Sequence, residues 1–438
     1  FISVAGVQSG RNLRTVSDPA GDRLVAGKQF SVLSFELEVA AMAAFEDIKK
    51  VGVIGAGTMG RGIVMNFVNA GYPVTWLDVN GEMLEKGLVE IAAVYKRSVA
   101  QERFDDAEAQ ARVARISTTQ DYADLADMDL VVEAVYENMD LKKKIFAELD
   151  KAVKPSAILA TNTSYLDIDE IASATQRPTQ VLGLHFFSPA HIMKLLEVVR
   201  GKATAQDVMD ACLAVGKKIG KEAVLAGNCH GFIGNRMLEK YSRQSREVVL
   251  EGFTPWEVDQ ALQGFGMAMG PYRMYDVVGV DLGWRSRQLA GIGRGEPIVW
   301  LDNKLCEMER FGQKSGHGFY KYEAGSRQAI HDPETDMMAR EVAEEAGYTA
   351  RDVSAEEIVT RCILALVNEG ARILDEGFAE SAEDIDRVYR FGYGFPADRV
   401  GPMAYADSLG LDKVLAEIRA LEAERGEFWK PAAGLVKL

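Results

Sequence analysis

Two residues stand out for the chemistry they could do together. His185 lies in the apolar run Val181-Leu182-Gly183-Leu184-His185-Phe186-Phe187, and Glu197 lies inside Leu195-Leu196-Glu197-Val198-Val199. A carboxylate in an apolar strand is costly unless it is paired. An imidazole on the neighbouring strand is the partner that explains it. Such a pair fixes the imidazole tautomer and favours its charged form, which suits a base that takes a proton from a hydroxyl. A histidine at a strand end can also be purely structural, and that reading stays open. The other four histidines, His191, His230, His317 and His331, have no acid in a similar setting. Asn162, Thr163 and Ser164 follow the short apolar run Ile158-Leu159-Ala160, so they could reach the same edge or cap the next helix. Asn235, within Gly231-Phe232-Ile233-Gly234-Asn235-Arg236, is a glycine-flanked amide that could hydrogen-bond a substrate oxygen.

Elements that could position these groups begin at Lys49 to Ile63, KKVGVIGAGTMGRGI. It reads as a buried strand (Val51, Val53, Ile54), a glycine turn and the start of a helix. The turn Gly55-Ala56-Gly57-Thr58-Met59-Gly60 matches G-x-G-x-x-G. The first glycine permits the tight turn, the second lets a pyrophosphate approach the backbone, and the third lets the helix pack against the sheet. The helix N-terminus then faces the phosphates. A helix-compatible run from Arg61 to Ala70 and a second strand, Val74 to Leu77, end in Asp78. An acid at that distance can grip a ribose. A dinucleotide site beside a histidine base implies hydride transfer.

Further along, residues 48–228 alternate strand and helix, the pattern of a parallel sheet covered on both faces. A helical region is expected from Glu82 to about Gln110, and its Lys86, Lys96, Arg97 and Arg103 form a basic patch or a solvated face. Strands are expected at Leu130 to Val135, Ile158 to Ala160, Val181 to Phe187, Leu195 to Val199 and Ala223 to Leu225, with a helix from Gln206 to Gly216. From Cys229 onward helical periods dominate and an internal repeat is present. Val249-Leu250-Glu251-Gly252-Phe253 recurs as Leu374-Asp375-Glu376-Gly377-Phe378. Gly270-Pro271 with Asp276, Gly279 and Asp281 recurs as Gly401-Pro402 with Asp407, Gly410 and Asp412. The fold class expected is an α/β Rossmann-type NAD-binding domain followed by two repeated helical domains. The divisions are a leader over 1–47 with a helix from Leu33 to Phe45, the dinucleotide domain over 48–228, and helical domains over 229–340 and 341–438.

The net charge of −15, from 50 basic and 65 acidic residues, disfavours nucleic acid or an anionic membrane as the general partner. No apolar run is long enough to span a bilayer. Cys212, Cys229, Cys306 and Cys362 are far apart, without metal-type spacing, so no metal is expected and the thiols are read as reduced.

Taken together, VGVIGAGTMGRGI, DLVVEAVYENMDLKKKIF, ATNTSYL, GLHFFSPAHIMKLLEVVRG and GFIGNRM resemble the 3-hydroxyacyl-CoA dehydrogenase family. The likeness is to the dehydrogenase portion of the multifunctional fatty-acid β-oxidation enzymes, over residues 50 to 430. The resemblance implies NAD-dependent oxidation of (3S)-hydroxyacyl-CoA to 3-ketoacyl-CoA. It implies His185 as general base, Glu197 as its partner, and Asn235 and Ser164 against the substrate. It also implies NAD contacts at Gly55 to Gly60, Asp78, Glu137, Lys142, Asn162 and Ser188. Ser188 stands where stand-alone members usually carry asparagine, as is usual in the multifunctional branch. Residues 1–47 do not resemble a hydratase half, so no hydratase activity is expected. An acyl-CoA substrate is the implied partner, with a homo-oligomer or a β-oxidation complex left open. A bacterial-type cytoplasmic setting is expected, an organellar matrix being the alternative. Competing functions are a β-hydroxyacid dehydrogenase with a small substrate, which would use a helical lysine as base, and a non-catalytic cofactor-sensing subunit.

Overall fold

A computed structural model describes residues 48–351 and 354–436. The helix expected over Leu33 to Phe45 lies outside these residues. The eight strands are β1 (Val51–Ile54), β2 (Val74–Leu77), β3 (Ile116–Thr119), β4 (Leu130–Glu133), β5 (Ile158–Thr161), β6 (Val181–Phe186), β7 (Leu195–Arg200) and β8 (Glu222–Gly227). They form one sheet in the order β3-β2-β1-β4-β5-β6-β7-β8. The first six are parallel, with the chain reversing direction across the sheet between β1 and β4. Ligands of open α/β sheets bind at that switch point, beyond the carboxyl ends of the strands.

Helices α1 (Thr58–Asn69), α2 (Gly81–Ala100), α3 (Asp106–Ala114), α4 (Met139–Ala152), α5 (Ile168–Ala172) and α6 (Gln206–Lys218) accompany the sheet. Two expectations need correction, and one strand was not read from the sequence. The helical region from Glu82 to Gln110 is two helices. The chain breaks at Glu102, whose φ is 57°, and Asp105 caps the second helix by accepting from the Glu108 N–H. The strand β3 carries Ser and Thr on a partly exposed sheet edge, so it has no apolar signature. Finally, the sheet is not wholly parallel: β7 runs antiparallel to β6, and β8 runs parallel to β7. The antiparallel pairing sets His185 directly opposite Glu197.

Beyond β8 come α7 (Gly234–Leu250), α8 (Pro255–Phe265), α9 (Pro271–Val278), α10 (Asp281–Leu289), α11 (Trp300–Glu307) and α12 (Pro333–Glu345). The chain continues with α13 (Ala355–Asp375), α14 (Ala382–Gly392), α15 (Pro402–Leu409), α16 (Leu411–Arg425) and α17 (Ala433–Val436). The duplication seen in sequence is structural. The helices α7 to α10 recur as α13 to α16, with prolines opening α9 and α15 at Pro271 and Pro402. A repeated acid was missed. Asp259 accepts from the N–H groups of Tyr272 and Arg273, and Asp386 accepts likewise from Met403 and Ala404. A Cβ on Gly270 or Gly401 would strike these carboxylates, at 2.2 and 2.3 Å. One face of the sheet is closed by its own helices, while the core on the other face continues without interruption into the helical region. Among the described residues no helix is long and apolar enough to cross a membrane.

Candidate active site

The glycine turn lies between β1 and α1, at the switch point. Gly55 has φ +104°, and a Cβ there would meet the Ala134 carbonyl oxygen at 2.6 Å. A Cβ on Gly60 would sit 1.8 Å from the Gly55 carbonyl oxygen, so the helix can approach only as glycine. At Gly57, by contrast, nothing lies within 4 Å of the Cβ position, which leaves room for a ligand. No side chain caps α1, and its first turn holds no acid, so its N–H groups point into that room as donors for phosphate. Asp78 at the end of β2 accepts from the Ala56 N–H at 2.6 Å, which fastens the turn to the acid expected to hold the ribose. These features fit a dinucleotide.

From there a chain of polar groups crosses the carboxyl ends of β4, β5, β6 and β7. Glu133, fully buried at the end of β4, accepts from the Lys142 ammonium at 2.8 and 3.0 Å and from the Thr161 hydroxyl at 2.7 Å. Lys142 is itself fully buried and lies 3.6 Å from Glu137, so its charge is neutralised beneath the surface. Glu137 accepts from the Thr163 hydroxyl and from the N–H groups of Ser164 and Tyr165, which fixes the turn carrying Ser164. Asn162 neither caps a helix nor faces outward with its oxygen, because that oxygen accepts from the Phe186 N–H at 2.8 Å. Ser188 is exposed just beyond β6. Lys86, Lys96, Arg97 and Arg103 are all exposed.

At the centre, His185 Nδ1 lies 2.7 Å from Glu197 Oε2, and His185 Nε2 lies 3.1 Å from the Ser164 hydroxyl. With Nδ1 donating to the carboxylate, Nε2 is left with its lone pair toward Ser164. Both His185 and Glu197 are buried, at 4% and 0% exposure. The second Glu197 oxygen accepts from the N–H groups of Ile233 and Gly234 at the start of α7, at 3.1 and 2.9 Å. Those two bonds place Asn235, the next residue, beside the pair. Phe187 and Phe232 pack on the imidazole, with centroids 4.4 and 5.7 Å away. On the neighbouring turn, burial pushes the Tyr165 phenol up to about 12, so it stays protonated. Lys221 is buried and donates to the carbonyls of Ala190 and Met193, and burial pushes its ammonium down to about 8.

Most of the chain matches known proteins. Residues 50–229 match the 3-hydroxyacyl-CoA dehydrogenase NAD-binding domain, and residues 231–322 and 358–437 match that family's C-terminal domain. The chain belongs to the 3-hydroxyacyl-CoA dehydrogenase family. Its first region is therefore an NAD-binding domain, and the observed Rossmann-type sheet with helical repeats agrees with the expected fold class. Among curated relatives, the peroxisomal bifunctional enzyme of Cavia porcellus is 42% identical over 395 residues, 86% of this chain and 54% of that protein. An Arabidopsis thaliana peroxisomal fatty-acid β-oxidation multifunctional protein is 36% identical over 401 residues, 89% of this chain and 54% of that protein. The chain thus spans about half the length of these relatives. Their names place them in peroxisomes, which gives the cytoplasmic expectation no support. Among solved structures, 3-hydroxybutyryl-CoA dehydrogenase of Escherichia coli superposes with TM-score 0.76 at 25% identity, covering 89% of this chain and 98% of that one. The dehydrogenase part of multifunctional enzyme 1 from C. elegans superposes with TM-score 0.66 at 28% identity, covering 93% and 96%.

Sequence reasoning missed Glu133, which binds Lys142, and Tyr393, whose phenol donates to the Asn235 side-chain oxygen. Glu133 carried the same signal as Glu197, an acid closing an apolar strand. Tyr393 had no signal, because it belongs to the second helical copy, far along the chain.

Proposed function

We propose that the protein oxidises (3S)-hydroxyacyl-CoA thioesters to 3-ketoacyl-CoA thioesters in fatty-acid β-oxidation, with His185 as the base. The observation that carries this reading is the line Glu197–His185–Ser164, set by the β6–β7 register in the same sheet whose β1 leads into the glycine turn, with β4 and β5 between. NAD bound at that turn supplies the acceptor for the hydride. His185 Nε2 takes the hydroxyl proton, and Ser164, already at hydrogen-bond distance, orients the oxygen that loses it. Glu197 holds Nδ1–H and meets the charge that develops on the ring. Its other oxygen, fixed by the α7 N–H groups, keeps it from turning away. Asn235 donates to the substrate oxygen as charge builds there. Asp78 holds the ribose, and the α1 N-terminus holds the phosphates. Ser188, Glu137, Lys142 and Asn162 complete the cofactor side, the last three by fixing the walls of the cleft.

A small-substrate β-hydroxyacid dehydrogenase would need a lysine at the reacting centre. Lys142, on the helix after β4, is sealed against Glu133. A cofactor sensor has no use for a base paired at both ring nitrogens. We assign no hydratase step to the residues matched by the two dehydrogenase domains. Turnover of (3S)-hydroxybutyryl-CoA with NAD tests the reading. Activity on a free 3-hydroxyacid but not on the thioester would overturn it, and so would hydration of crotonyl-CoA as the only activity of the purified chain.

A further inference from the structure

Asn235 is placed beside the base by the first helical copy, but what turns its amide comes from the second. The Tyr393 hydroxyl lies 2.8 Å from Asn235 Oδ1. A phenol in this position has one proton to give. If the amide were flipped, its nitrogen would donate to the phenol oxygen, and the buried O–H would lose its acceptor, a cost that favours the orientation seen. With the oxygen held by Tyr393, the amide presents its N–H pair as the free end.

The ring has little freedom to do otherwise. It stacks on Tyr389 at 4.9 Å and meets Phe187 edge-on at 5.7 Å, and Phe187 in turn packs on His185. One glycine makes room for the ring, and two more let the turn that carries it pack closely. A Cβ on Gly234 would strike the Tyr393 ring at 2.6 Å, one on Gly392 would strike Leu195, and one on Gly394 would strike Ala268. The Gly394 carbonyl also accepts from the Ala268 N–H, tying this turn to the first copy. In the first copy, the residue that closes the matching helix is Gly266, which has no side chain to offer.

We propose that Tyr393 is a positioning residue for the oxidation: its O–H holds the Asn235 oxygen so that the amide N–H pair faces the substrate oxygen. The inference rests on the function proposed above. It means that the second helical copy takes part in the reaction through one hydroxyl rather than only by packing.

Tyr393→Phe keeps the ring, its stacking and its contact with Phe187, and removes only the hydroxyl. For (3S)-hydroxybutyryl-CoA oxidation we expect kcat to fall about tenfold, the worth of one well-placed hydrogen bond. The KM for NAD and the melting temperature should stay as in the parent. In an Asn235→Ala background the same change should have no further effect, because the group being positioned is gone. An unchanged kcat in Tyr393→Phe, or an equal loss in the Asn235→Ala background, would overturn the inference. Asn235→Asp gives a second arm, since it leaves an oxygen for Tyr393 but removes the N–H pair. It should lose at least as much kcat as Tyr393→Phe, and near-normal kcat would again overturn the inference. A failure of the underlying reading is distinguishable, because it would appear as retained oxidation in His185→Gln.

Discussion

The two helical copies are built alike and braced alike, yet they meet the proposed site through different residues. In the first copy Arg236 on α7 reaches across to Glu369 at 2.7 Å and Glu376 at 2.6 Å in the second. In the second copy Arg361 on α13 reaches back to Gln244 at 3.2 Å and Glu251 at 2.9 Å in the first. The separation in sequence that relates Arg236 to Arg361 also relates Gln244 to Glu369 and Glu251 to Glu376. The braces are therefore reciprocal, as in a two-fold interface between identical chains. The same separation relates Asn235 to Thr360. Asn235 stands at the N-terminus of α7, where Glu197 grips the backbone, whereas Thr360 lines a groove of about 810 Å³ between α8, α13, α15 and α16. Duplication supplied a symmetric clamp, while the two copies reach the proposed site through unlike residues, Asn235 of the first and Tyr393 of the second.

The largest effect should separate the paired positions themselves. Asn235→Ala is expected to lower kcat about 10²- to 10³-fold, the usual loss for one donor to a developing charge. Thr360→Ala should leave kcat as it is. Steady-state rates with (3S)-hydroxybutyryl-CoA measure both, and similar losses in the two variants would break the distinction.

Next in size are the braces. The Arg361 side chain is fully buried, and Glu251 is 9% exposed. Glu251 also keeps Arg351 and Arg425, so Arg361→Ala should cost about 1–3 kcal/mol of folding stability, from the buried hydrogen bonds lost at Glu251 and Gln244. On the other side Glu376 is 45% exposed and can be hydrated, so Arg236→Ala should cost less. Urea unfolding of the two variants tests the order, and a larger loss for Arg236→Ala would contradict it.

A smaller effect concerns the repeated acids Asp276 and Asp407. Asp276 is buried against the Phe319 and Tyr320 N–H groups and the Tyr322 hydroxyl, while Asp407 is exposed. Burial pushes the Asp276 carboxyl up to about 7, against those hydrogen bonds. A carboxyl raised in the folded state holds its proton more tightly there than in the unfolded chain. Its contribution is complete below the unfolded value near 3.8 and is lost as pH rises through about 7. Melting temperature should decline over that window, and Asp276→Asn should flatten the decline. Asp407→Asn should leave the profile unchanged, and a flattened profile there instead would reverse the contrast.

How much was legible in sequence depended on whether the signal was local. The glycine turn, the strand ends at Asp78 and His185, and the odd acid at Glu197 each carry their meaning within a few residues. The pairing of His185 with Glu197 followed from the cost of burying a lone carboxylate. The antiparallel turn of β7 that sets them opposite each other did not, because an apolar strand reads the same in either direction. The resemblance assigns Lys142 to the cofactor, and its buried partner Glu133, nine residues earlier at the end of β4, shows in sequence only as an acid closing an apolar strand. The break between α2 and α3 was hidden because its residues suit a helix, and only the Asp105 cap marks it. The repeat itself was plain. Its reciprocal braces were not, since nothing in one copy says which residues of the other it faces.

The account turns on His185 and Glu197 acting as one unit. The most direct measurement is a double-mutant cycle on kcat for (3S)-hydroxybutyryl-CoA oxidation, with His185→Gln, Glu197→Gln and both together. His185→Gln should lower kcat about 10²- to 10⁴-fold, Glu197→Gln somewhat less, and the double variant should be little worse than His185→Gln alone. Losses that multiply, or near-normal kcat in His185→Gln, would contradict the account.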